Sequence, residues 1–151
     1  MTAVRLRLLV GCVVCLVAGC GDNTGPVDEA LRELVGAWRV SKFEYTSQAD
    51  SLKSINLAAL GVSMNLTISN DGGWTLLTMQ PGIVLGQVST GMLSVQGDSI
   101  DFRWDAGPGP WMFGYDVSGD ILTMITREAE YTFDQGGQPE PADLEIVMAR
   151  L

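Results

Sequence analysis

Very little in this chain is equipped for covalent chemistry. Histidine is absent, and the three cysteines, Cys12, Cys15 and Cys20, all fall inside one apolar run between Leu8 and Asn23. Without imidazole there is no Ser-His or Cys-His nucleophile, no histidine acid or base, and no histidine for a zinc or copper site. What remains is a set of carboxylates, one thiol at the end of the apolar run, and a group of aromatic side chains. The aromatics are Trp104, Trp111, Phe113 and Tyr115, on either side of the loop Ala106-Gly107-Pro108-Gly109-Pro110.

The thiol is the most specific of these. Arg5 and Arg7 precede the apolar run, which ends in the small residues Ala18 and Gly19 before Cys20 and turns polar at Asp22 and Asn23. A basic start, a short apolar middle and small residues at the end are the layout of a secretory signal peptide. The run is shorter than the roughly 20 residues a helix needs to cross a bilayer. Val17-Ala18-Gly19-Cys20 resembles the lipobox of bacterial lipoproteins, with Val17 where leucine is commonest. The resemblance implies cleavage before Cys20 and attachment of a diacylglyceryl group to its sulfur. Residues 1–19 are then the signal peptide, 20–27 the lipidated cysteine and its tether, and 28–151 the folded domain. Cys12 and Cys15 leave with the signal, and an acylated Cys20 cannot pair, so no disulfide framework is expected. Two or three acyl chains hold a protein stably at a membrane. Gly21 stands where the enterobacterial signal for inner-membrane retention has Asp. By resemblance, this places the protein at the outer membrane of the bacterial cell envelope. No cofactor is expected beyond the covalent lipid.

The formal charge of the 151-residue chain is −9, and loss of Arg5 and Arg7 makes it two units more negative. Such a chain has no electrostatic footprint for nucleic acid or for anionic headgroups. Its carboxylates do not form a convincing catalytic group. Asp105-Ala106-Gly107 resembles the aspartic-protease tripeptide, but a dyad needs two carboxylates sharing one proton, and no second copy exists. The segment reads as a turn. Asp134–Glu140 has too few acidic oxygens for calcium, which takes six or more. Glu128 and Glu130 read as the solvated face of a strand. An enzyme is therefore the least favoured class, with a carboxylate-based hydrolase as its one available form.

Asp28 can cap a brief helical turn over residues 29–35, which Gly36 ends. From there the pattern is all strand: 37–47, 62–69, 74–80, 86–96, 99–105, 111–118, 121–133 and 144–151. Val62, Met64, Leu66 and Ile68 alternate cleanly with polar neighbours, as do Ile100, Phe102 and Trp104. Tight turns rich in Asn, Asp and Gly join the second strand to the third, the fourth to the fifth and the sixth to the seventh. The other connections are long. In an up-and-down meander, alternate loops lie at opposite ends, so one end is pinched and the other carries long loops. Eight antiparallel strands close into a barrel without exposed edges.

Gly36-Ala37-Trp38, after a short helical turn, resembles the G-x-W of the first lipocalin strand. In that family a basic residue on the last strand packs across the tryptophan and seals the closed end, and Arg150 occupies the matching place. The resemblance implies a lipocalin-like (calycin-type) barrel. In the first strand Val40 is in phase with Trp38, whereas Phe43 and Tyr45 are not, and a bulge between them would bring all four inside.

Trp104, Trp111, Phe113 and Tyr115, with Met64 and Met92, are expected to line an apolar cavity at the loop-rich end, where broad rings and soft methionines adapt to a ligand. Ile55 and Leu60 bracket an apolar segment inside the longest loop and are expected to form a lid over the mouth. The expected function is binding or carriage of a small hydrophobic ligand by a membrane-anchored envelope lipoprotein. The alternative is a filled, ligand-free barrel that acts as a structural or protein-interaction domain.

Overall fold

The hairpin turns and the long loops do segregate. The computed structural model describes residues 29–107, 109–134 and 136–151. The signal peptide, Cys20 and the tether lie outside the described residues. After a helical turn, α1 (Glu29–Leu34), come β1 (Gly36–Ser47), β2 (Ser54–Asn56), β3 (Ser63–Ile68), β4 (Gly73–Met79) and β5 (Gln87–Gln96). They are followed by β6 (Ser99–Trp104), β7 (Trp111–Ser118), β8 (Ile121–Tyr131) and β9 (Glu140–Arg150). β1 and β3 to β9 form an antiparallel up-and-down meander, and β1 pairs with β9 to close an eight-stranded barrel.

The β3–β4, β5–β6 and β7–β8 hairpins gather at one end with α1, the start of β1 and the finish of β9. The two Gly-Asp hairpins depend on glycine, since Gly97 and Gly119 sit at φ +63° and +60°, where a side chain is disfavoured. In the Ser69–Gly73 turn the Asp71 carboxylate accepts hydrogen bonds from the Ser69 hydroxyl at 2.6 Å and the Gly73 amide at 3.1 Å. These bonds favour the charged form and hold Asp71 below its ordinary pKa of 3.8.

Alternation fills the barrel. Trp38, Met64, Leu66, Ile68, Trp74, Leu93, Ile100, Phe102, Phe113, Leu122, Met124, Leu144, Ile146 and Met148 form one buried cluster. The phase conflict in β1 is resolved by a bulge: Val40 pairs with Met148 and Lys42 with Val147, so Ser41 is the extra residue. Val40, Phe43 and Tyr45 then all pack against the core. Gly91 is likewise required by packing. It pairs directly with Trp74, and a Cβ there would lie 1.9 Å from the Arg103 carbonyl and 2.7 Å from the Trp74 ring.

Two elements depart from the sequence expectation. The 48–61 connection contains a ninth strand, β2, which pairs with Glu44, Tyr45 and Thr46 of β1, beyond Arg39, where pairing with β3 ends. Strand β9 also begins earlier, at Glu140. Pro141 stands at the end of the β1–β9 ladder, where its carbonyl accepts from the Gln48 amide at 3.1 Å just beyond the Ser47–Ala142 pair. Its missing N–H therefore costs the ladder only a terminal bond.

Candidate functional site

The closed end is sealed by one side chain. The Arg150 guanidinium lies 4.1 Å from the centre of the Trp38 ring, and the two residues face each other across β1 and β9. Arg150 also donates 2.7 Å hydrogen bonds to the carbonyls of Val35 and Glu33. The Trp38 indole N–H donates to the Leu34 carbonyl at 2.8 Å. Carbonyls at the end of α1 that have no helical partner are thus satisfied from the barrel. Gly36, at φ +136°, leaves room for this arrangement: a Cβ would sit 2.8 Å from Arg150 Nη1. The expected trio of Gly36, Trp38 and Arg150 therefore meets in space.

Above this plug the interior holds a small apolar cavity of about 80 Å³. Its lining includes Met64, Trp104, Trp111 and Phe113, four of the residues expected there, together with Trp74, Phe102 and Met124. Three tryptophans make a column through this space. Trp74 and Trp104 meet edge to face at 4.8 Å, and Trp104 and Trp111 do so at 6.1 Å.

The wall opens beside the column. Pairing between β7 and β8 stops at Gly114 and Ile125, so Trp111 and Met112 part from the far half of β8. A register shift between Thr126 and Ala129 marks the same stretch of β8. The gap is a cleft of about 450 Å³ lined by Tyr45, Trp111, Met112, Thr126, Glu128, Glu130 and Leu144, among others. Trp111 lines both spaces. Glu128 and Glu130 are exposed, as expected for a solvated face, but they also form part of the cleft wall. Tyr45 stacks on Tyr131 at 4.6 Å. Burial, and secondarily the neighbouring Tyr131, raise its phenol above the ordinary pKa of 10.0.

Four residues expected around the ligand lie elsewhere. Met92 faces outward and is 48% exposed, because its neighbours Gly91 and Leu93 take the inward positions of β5. Tyr115 packs against the core, but its amide bonds the Asp98 carbonyl of the β5–β6 hairpin, toward the closed end and away from both spaces. Ile55 is held in β2 opposite Tyr45. Leu60 is 59% exposed and lies in a turn fixed by the Asn56 side chain, whose oxygen accepts from the Ala58 and Ala59 amides. The segment is hydrogen-bonded onto β1 through Leu57 and Phe43 and does not lie across the cavity as a lid.

Two features escaped the sequence reading. The first is Trp74, whose indole nitrogen is buried without a hydrogen-bond partner, as is that of Trp104. A buried donor left unmade costs about 1–3 kcal/mol. The second is the β4–β5 loop, where Val84 and Leu85 are 97% and 83% exposed and residues 72–97 carry no charged side chain. Among the described residues no group of three acidic or thiol side chains converges to hold a metal, and the Asp134 carboxylate instead faces Lys53 at 3.3 Å. No protein-family model matches the chain, and no curated protein matches it either.

Proposed function

We propose that this protein is a lipid-anchored, lipocalin-like binding protein of the bacterial cell envelope that takes a small amphiphilic or apolar ligand at its open end. The observation that carries the reading is an interior apolar cavity and a larger cleft with Trp111 as their common wall. About 80 Å³ has room for only two or three water-sized groups. The ligand therefore buries one end in the barrel and lays the rest along the cleft. Cys20, acylated after cleavage at Gly19, would hold the domain at the membrane through the tether 21–27. Binding and not catalysis is the role that these side chains suit, since the cavity presents rings and methionines and no nucleophile.

A second reading, a ligand-free interaction barrel, is favoured by the small size of the interior space and by the bare aliphatic tip at Val84 and Leu85. Titration with a hydrophobic fluorescent dye separates the two. The full chain in lipid nanodiscs, read against protein-free discs, is expected to bind dye at one saturable site and to quench tryptophan emission. Trp111→Ala should weaken that site. Uptake no greater than that of empty discs would favour the interaction barrel.

A further inference from the structure

The outer wall made by β4 and β5 is unlike the rest of the surface. Residues 72–97 carry no charged side chain, although the formal charge of the chain is −9. Strand pairing sets Leu77 beside Val88 and Gly73 beside Met92, and directly paired residues share a face of the sheet. Met92 and Val88 are exposed, and so are Met79 at the end of β4 and Ile83, Val84 and Leu85 at the tip of the β4–β5 loop. An uncharged stripe therefore runs the height of the barrel, from the closed end to the loop tip. Its rims are polar, with Asn65 and Thr67 on β3 and Asp101 and Arg103 on β6. At the closed end the stripe meets α1: a Cβ on Gly72 would lie 3.9 Å from the side chains of both Leu31 and Met92. Residues 20–28 join the domain at this same end.

We infer that the stripe and the loop tip are a membrane-contact face, on which the barrel lies along a bilayer of zwitterionic phospholipid with Ile83, Val84 and Leu85 dipped into the acyl boundary. This rests on the lipid anchoring proposed above and says how the anchored domain is held. The anchor restricts the geometry first. From Cys20 to Glu29 an extended chain reaches at most about 30 Å, so the closed end stays near the bilayer, and a barrel lying on the stripe brings the tip down to it as well. Charge selects the same wall, since placing a charged side chain against hydrocarbon is costly and this wall has none. Shape then favours lipid over protein. A projecting aliphatic tip needs a matching hollow in a protein partner, whereas fluid acyl chains close around it. The polar backbone of the loop limits the depth, and side chains reach about 5–10 Å into the headgroup boundary. Strand β8 stands four places from β4 around the ring, so the cleft beside Trp111 stays clear of the membrane.

The test places the full chain in phosphatidylcholine vesicles with an environment-sensitive fluorophore on one introduced thiol. The thiol is supplied by Leu85→Cys at the tip or by Ile125→Cys on the opposite wall, where Ile125 is also apolar and exposed. An acylated Cys20 takes up no label. The label at position 85 should emit at shorter wavelength and be quenched by bromine on the acyl chains, more strongly by bromine near the headgroup than near the chain end. The label at position 125 should do neither. Ile83→Ser with Val84→Ser should lower the ratio of inserted to free tip at least about tenfold, as for two aliphatic side chains returned to water. Equal response at the two positions, or no quenching at position 85, would overturn the inference while flotation with the vesicles kept the anchor. A shift to shorter wavelength without quenching would mean that protein, a second copy or another partner, covers the tip, and would overturn it too. If the chain does not float with the vesicles, or if unaltered protein takes up label at Cys20, the anchor and the membrane face both fall.

Discussion

The two ends of this barrel treat tryptophan differently. At the closed end Trp38 is fully buried, its N–H is bonded to Leu34 and its face is covered by Arg150. In the column that rises toward the open end, Trp74 and Trp104 have buried, unbonded nitrogens, and Trp111 stands between a cavity and a cleft. The first arrangement is complete without any further molecule, and every contact in it adds to stability. The second leaves donors and space that stability alone would remove. The difference teaches which end holds the fold together and which end is available for function.

The largest effect should come from breaking the complete end. Trp38→Ala is expected to destabilise the protein by about 3–5 kcal/mol, as for a large buried aromatic, measured by denaturant unfolding. Arg150→Ala should cost less, with a cation–π share of roughly 0.5–2 kcal/mol. Because the two touch, the double variant should lose less than the sum of the single losses. Strict additivity would mean that the seal is two independent contacts and would erase the contrast with the open end.

The closed end was also the more legible in sequence. Gly36, Trp38 and Arg150 are a local motif and a terminal residue. The tight Asn, Asp and Gly turns at that end announce themselves because positive φ limits the residues that can stand there. The β1 bulge could be anticipated because Val40 and Phe43 cannot share a face at strict period two. The open end was harder to read. β2 is three residues long and exists only because β1 outruns β3, which is a tertiary fact. The outward turn of Met92 depends on Gly91 taking an inward place under Trp74. Whether an indole N–H is satisfied is set by distant backbone and has no local signal at all, and the cleft follows from the parting of β7 and β8.

A smaller effect sharpens the comparison at the cleft. Tyr45 lies half-buried there with its phenol held above the ordinary pKa of 10.0 by burial. The folded form therefore binds that proton more tightly than the unfolded chain does. The associated stability is present in full below pH 10.0 and is lost as the pH rises through the folded-state pKa. Tyr45→Phe should remove this step, giving a flatter alkaline limb in a plot of unfolding free energy against pH. An unchanged limb would assign the alkaline loss to other groups and leave Tyr45 without an energetic mark of its burial.

The smallest change is expected at the tip of the β4–β5 loop. Val84 and Leu85 project almost wholly into solvent, so folding removes little of their surface from water and gains little from their apolar character. Replacing both with serine should alter unfolding free energy by no more than about 0.5 kcal/mol per site, even though two aliphatic side chains disappear. The same number of apolar atoms taken from the Trp38 seal would be felt several times over. A thermal unfolding midpoint close to that of the unaltered chain would confirm that the open end carries apolar surface which the fold does not use. A loss above about 1 kcal/mol per site would exceed the range for exposed positions and would mean that this loop packs down over the barrel mouth. The open end would then be a second seal, and the distinction between a holding end and a working end would fail.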